Sequence, residues 1–235
     1  MTPTWQSAAL GLVGDLRNVF GDRLRSVVAY GAHIEGNTAA PLSCLALVSS
    51  HALADFEACA RQTARWHRNR IATPLVISET ELRTSLDAFP LEYGEIIRAH
   101  QRVFGNDPFD GVAIAQPDLR RACETQIKSH LVHLREGFLE SGGEPSAVGH
   151  LVSESAPAFT ALLRHVAWLG GAATRDRVEA TRAGAQAAGL ADGLVADMIA
   201  LEQQRAMRTS DPARLFPEYL AAVEQLARTV DAWRV

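Results

Sequence analysis

The feature that most constrains this chain is a change of pattern near residue 116. Before it, short apolar runs rich in β-branched residues alternate with helical patterns. After Pro117 no strand-forming run occurs, and apolar residues recur at helical spacing to the end. Alternating elements need a sheet with helices packed on it, whereas a purely helical pattern buries its stripes in a bundle. The expected class is therefore α+β. A small mixed sheet with flanking helices over 1–116 is followed by an all-α helical bundle over 117–235. A chain of 235 residues is long enough for two such units.

Residues 2–20 predict an amphipathic helix on Trp5, Ala9, Leu12, Leu16 and Val19. Ser26–Tyr30 and Leu42–Ser49 read as buried strands, separated by a loop from Gly31 to Pro41. One helix is expected over 52–69. A third strand is expected over Ile71–Ser78, at a sheet edge because of Pro74. Ser78 and Glu81 have capping-box spacing and predict a short helix, which FPLEY (Phe89–Tyr93) should break. Glu95–Phe104 and Gly111–Ala115 then read as strands. Beyond Pro117, helices are expected over 117–140, 146–170, 174–188, 192–207 and 212–233. Pro157 should kink or restart the second of these, with Ser153 or Ser155 as a cap, and the TSDP sequence (Thr209–Pro212) should turn the chain.

Composition removes several function classes. The net charge is −4 and is shared evenly by the two parts, so general nucleic-acid binding is not expected. Lys128 is the only lysine, which excludes a P-loop. Cys44, Cys59 and Cys123 are widely spaced and odd in number, against a disulfide scaffold or a zinc site. No apolar run reaches the ~18 residues of a membrane helix, and no secretory leader is visible. The expected setting is the cytoplasm, without a membrane partner.

One segment carries a specific motif frame. Tyr30-Gly31-Ala32-His33-Ile34-Glu35-Gly36 follows the first strand. Ser43-Cys44-Leu45-Ala46-Leu47-Val48 forms the second. The frame resembles the nucleotidyltransferase superfamily, in which a Gly-Ser turn after the first strand holds triphosphate oxygens and Asp-x-Asp on the next strand binds metal ions. The helical second part resembles the bundles of kanamycin-type nucleotidyltransferases. SLDAFPLEY, RVFGNDPF and LRRACETQIKSHLVHLREGFL resemble a bacterial group of nucleotidyltransferase-domain proteins of about this length.

The resemblance implies a turn that contacts a nucleotide phosphate through Gly31, Ala32, His33 and Gly36. Where it implies Ser and two Asp, this chain has Ala32, Cys44 and Ala46, and Ile71–Ser78 contains no carboxylate. Two-metal transfer needs hard oxygen ligands, which Cys and Ala do not supply. The expectation is a catalytically inactive member that binds a nucleotide or a protein partner. It would have no metal site and no cofactor. The alternatives are an active transferase that holds Mg²⁺ on displaced acids (Glu35, Glu79 or Glu92) and a structural, antitoxin-like dimeric module. Glu35, Glu92 and Tyr93 are candidates for lining a cleft. Cys44 reads as a buried small hydrophobe and His130 and His133 as helix-packing residues, and the Arg61–His67 spacing, although it suits an RNase motif, reads as chance.

Overall fold

A computed structural model of the chain describes residues 4–204 and 211–233. The chain divides into two compact units, Met1–Ala115 and Gln116–Val235. The expected α+β class is what the chain adopts.

The first unit is built on a four-stranded sheet of order β3-β2-β1-β4. Strand β1 (Leu24–Tyr30) runs antiparallel to β2 (Ser43–Val48), and β3 (Leu75–Ser78) lies parallel to β2. β4 (His100–Gly105) closes the other edge, antiparallel to β1. Helix α1 (Trp5–Phe20) starts at Thr4, whose hydroxyl accepts the Ser7 amide. Its stripe of Ala9, Leu12, Leu16 and Phe20 packs with Val27 and Ala29 of β1 and with Cys44, Ala46 and Val48 of β2. On the opposite face, Val28, Leu45 and Leu47 pack with Ile77, Leu82, Tyr93 and Ile96. Both faces of the sheet are thus covered, which is why β2 reads as a continuous apolar run rather than an alternating one.

Four expectations need correction here. The helix expected over 52–69 is two helices, α2 (Leu53–Ala60) and α3 (Thr63–Arg68). The bend at Arg61–Gln62 buries both Cys59 and Trp66, and Trp66 donates its indole N–H to Asp15 at 2.9 Å. The strand expected over Ile71–Ser78 begins only at Leu75, with Ile71 making an isolated bridge to Leu42. Its place at the sheet edge agrees with Pro74. FPLEY does not simply break the chain. Pro90 sits in the first turn of helix α5 (Pro90–Arg98), where its fixed φ favours the start of a helix. That helix takes the first four residues of the expected strand Glu95–Phe104, and the second half is strand β4 from His100. Gly111–Ala115 is not a strand, although Val112 and Ile114 pack against the second core. The capping box does form. The Ser78 hydroxyl accepts from the Glu81 amide, and the Glu81 carboxylate accepts from the Ser78 amide at 2.8 Å, starting α4 (Glu79–Ser85).

The second unit contains α6 (Gln116–Glu140), α7 (Pro145–Leu169), α8 (Arg177–Ala187), α9 (Asp192–Glu202) and α10 (Phe216–Ala232). Helix α7 continues through Pro157 without restarting. Ser153 and Ser155 do not cap it and instead donate to the Gly149 and Val152 carbonyls. Helix α7 is buried along most of its length, and that packing outweighs the lost hydrogen bond. A Cβ at Gly184 would lie 1.8 Å from the Leu163 carbonyl oxygen, so α7 and α8 approach to a distance only glycine permits. Residue 207, the expected end of α9, and Thr209 and Ser210 of the TSDP turn lie outside the described residues.

Candidate functional site

The site implied by the motif frame lies where β1 ends and β2 begins. Gly31 leaves β1 with φ +78°, in the left-handed region open to glycine. From there the chain makes a short helical turn. The Ile34 and Glu35 amides donate to the Gly31 carbonyl at 2.9 and 3.2 Å, and the Asn37 amide donates to the Ala32 carbonyl at 2.9 Å. Gly36 ends the turn at φ +105°. The Ala32 and His33 amides head this turn and meet no acceptor among the described residues. Successive N–H groups at the head of a helical turn carry partial positive charge and can accept an anion.

The rest of the loop is fastened down. The His33 ring places Nδ1 2.8 Å from the Ala40 carbonyl. A carbonyl only accepts, so Nδ1 carries the proton and Nε2 is left for a ligand. The Ala39 amide donates to the Asn37 side chain at 3.1 Å. The Arg70 guanidinium donates to the Thr38 carbonyl at 3.2 Å and also to the Ala39 carbonyl. Arg70 itself holds φ +60°, and its carbonyl accepts from the Leu42 amide at 2.8 Å. The four proposed phosphate residues, Gly31, Ala32, His33 and Gly36, thus share one turn whose C-terminal side is stapled to residues 70–72.

Strand β2 has a different character. Cys44 pairs with Ala29, and Ala46 with Val27. Cys44 is 1% exposed and Ala46 0%, and both belong to the core beneath α1. Burial pushes the Cys44 thiol up to about 12, so it holds its proton and is no nucleophile. These two positions are buried core packing.

The displaced acids belong to three different elements. Glu92 is exposed in the first turn of α5, and Glu79 lies in the first turn of α4. Glu35 is half-buried in the turn itself. Glu81 is committed elsewhere. The Ser78 amide and His51 bind its carboxylate and hold it down at about 2. Tyr93 is buried in the second core, where its hydroxyl accepts from Ser85 at 3.0 Å. Among the described residues, no group of three or more His, Cys, Asp or Glu is placed to hold a metal ion. In the second unit, His130 meets the Tyr219 hydroxyl at 2.6 Å whereas His133 meets Glu136, so the two histidines serve different partners. His67, half of the RNase-like spacing, meets the Thr73 hydroxyl at 3.1 Å.

Sequence reasoning missed one feature. A half-open apolar pocket of about 180 Å³ lies between α2, α3 and the β3 edge, lined by Phe56, Cys59, Ala60, Thr63, Trp66, Thr73, Pro74 and Val76. All of its lining except Phe56 comes from residues 58–78, which contain four arginines and no acid.

No family model matches the sequence, and no curated protein does. Among solved structures, the spectinomycin adenyltransferase AAD(9) from Enterococcus faecialis, solved with ATP and spectinomycin, is similar over 97% of this chain and 100% of its own. The TM-score is 0.59 at 11% identity. The likeness shows a nucleotidyltransferase-like fold. No helix among the described residues is long and apolar enough to cross a membrane.

Proposed function

We propose that this chain is a non-catalytic protein of nucleotidyltransferase-like fold that binds a nucleotide through the turn Gly31–Gly36. The observation that carries the reading is the burial of Cys44 and Ala46 in an apolar core, where the resemblance implies two metal-binding carboxylates. Nucleotidyl transfer asks the protein to clamp Mg²⁺ and to neutralise charge on phosphate oxygens in line with the attack. A thiol held protonated and a methyl group do neither. Phosphate binding makes a smaller demand, because backbone N–H groups supply it without side-chain chemistry. The Ala32 and His33 amides are groups of that kind, and the Nε2 of His33 on the same turn adds an acceptor for a nucleotide hydroxyl or amino group. A neighbour in fold solved with ATP adds support for a nucleotide as the ligand class.

Thermal unfolding with each nucleoside triphosphate, in Mg²⁺ and in EDTA, tests the proposal. A ligand at 100 times its Kd adds about 2.7 kcal/mol, on the order of 5–10 °C for a chain of this size. The expected result is a shift with at least one nucleotide that is the same in Mg²⁺ and in EDTA, with no transfer of a labelled nucleoside monophosphate. A shift that needs Mg²⁺ together with transfer would establish displaced acids at work. No shift with any nucleotide would remove the nucleotide and leave a scaffold or partner-binding role.

A further inference from the structure

We propose that the β3 edge of the first unit is a docking site for an extended peptide segment of a partner protein, with one apolar anchor residue and acidic flanks. Strand β3 ends the sheet, and its outer side pairs with no strand among the described residues. A bare edge is a row of unused N–H and C=O groups, and an added strand uses them. Pro74 precedes the edge, so pairing is confined to the four residues Leu75–Ser78.

Beside that edge lies the pocket between α2 and α3. Phe56, Ala60, Thr63, Pro74 and Val76 are among its walls. Its volume of about 180 Å³ suits one large apolar side chain. It falls short of the ~300–1,000 Å³ usual for a small-molecule site. Phe56, one of its walls, is 37% exposed, so the pocket opens on an apolar side chain that solvent reaches.

Charge selects the occupant. Residues 58–78 contain Arg61, Arg65, Arg68 and Arg70 with His67 and no acid, and Glu57 and Glu79 bracket the segment. Arg65 is spent on Asp15, and Arg70 on two carbonyls of the loop. Arg61 and Arg68 are exposed and have no acidic partner among the described residues. His67 reaches the pocket wall through Thr73. An acidic flank complements this rim, whereas a basic flank is repelled. The strand edge and the single-residue pocket favour a peptide over a nucleic acid, which would use the arginines but not the edge.

Fluorescein-labelled seven-residue peptides test the site by anisotropy with the full chain. Their centre is Leu, Ile, Val or Phe between acidic residues. Controls are the same centres between basic residues, and an oligouridylate. The expected result is saturable binding of at least one acidic-flank peptide, with new protection of the Leu75–Ser78 amides from hydrogen exchange. Ala60→Glu, an exposed wall residue, fills and charges the pocket and should weaken binding about ten-fold or more; Arg61→Glu should do the same from the rim. Unchanged melting of both variants shows that they fold. Absence of binding by every acidic-flank peptide would overturn the proposal. So would equal binding of the basic set, binding untouched by Ala60→Glu, or binding of the oligouridylate alone.

Discussion

The turn Gly31–Gly36 and strand β2 are neighbours, and a Cβ at Gly31 would lie 3.9 Å from the Ser43 side chain. Their chemistry is nevertheless opposite. The turn presents backbone N–H groups and an imidazole nitrogen, held open by bonds on its far side. The strand presents carbon and a protonated thiol, closed in under α1. A function that rests on backbone groups depends on φ and ψ, which Gly31 and Gly36 provide. A function that rests on carboxylates depends on side chains, and β2 has none. Binding and catalysis can therefore part within one site, because different kinds of group carry them.

The largest effect expected from this contrast is at β2. Cys44→Asp with Ala46→Asp places two carboxyl groups in an apolar core, where a buried acid gives up its charge at a cost of about 4 kcal/mol or more. A urea titration should show a large fall in midpoint, and no metal-dependent transfer should appear. If the double variant stays stable and binds Mg²⁺, β2 is a dormant metal site rather than core, and the contrast collapses. A smaller effect is expected at the turn. Gly31→Val forces a β-branched residue into the left-handed region, at about 1–2 kcal/mol. It should abolish any nucleotide-dependent shift in melting while leaving the α1 core intact. An unchanged nucleotide shift would move the binding site elsewhere.

Much of the first unit was legible because its signals are local. β1 and β2 are short apolar runs, and Ser78 and Glu81 cap α4 over one turn. The frame Gly31 to Val48 fixed where to look for a site. What the pattern could not give was the face on which Cys44 and Ala46 point, since a strand buried on both sides shows no alternation. The stretch from Phe89 to Arg98 was misread for a related reason. Pro90 has two meanings, a break inside a helix and a favourable first residue of one, and only the burial of Leu91, Tyr93 and Ile96 on one helix decides between them. The pocket beside β3 depends on the bend between α2 and α3, which no strong turn residue marks.

The smallest expected effect separates the two nitrogens of His33. Its Nδ1–H braces the turn through Ala40, whereas Nε2 is an acceptor left for a nucleotide hydroxyl or amino group. An asparagine amide occupies roughly the place of Nδ1, and a glutamine amide roughly that of Nε2. His33→Asn should keep the brace, with little change in melting, and should lose part of the nucleotide shift. His33→Gln should lose the brace, costing about 0.5–1.5 kcal/mol for one hydrogen bond, and should keep more of the shift. If both variants lose stability equally and bind equally, His33 is a structural residue alone. The phosphate would then rest entirely on the Ala32 and His33 amides, which no side-chain substitution removes and only a change at Gly31 displaces.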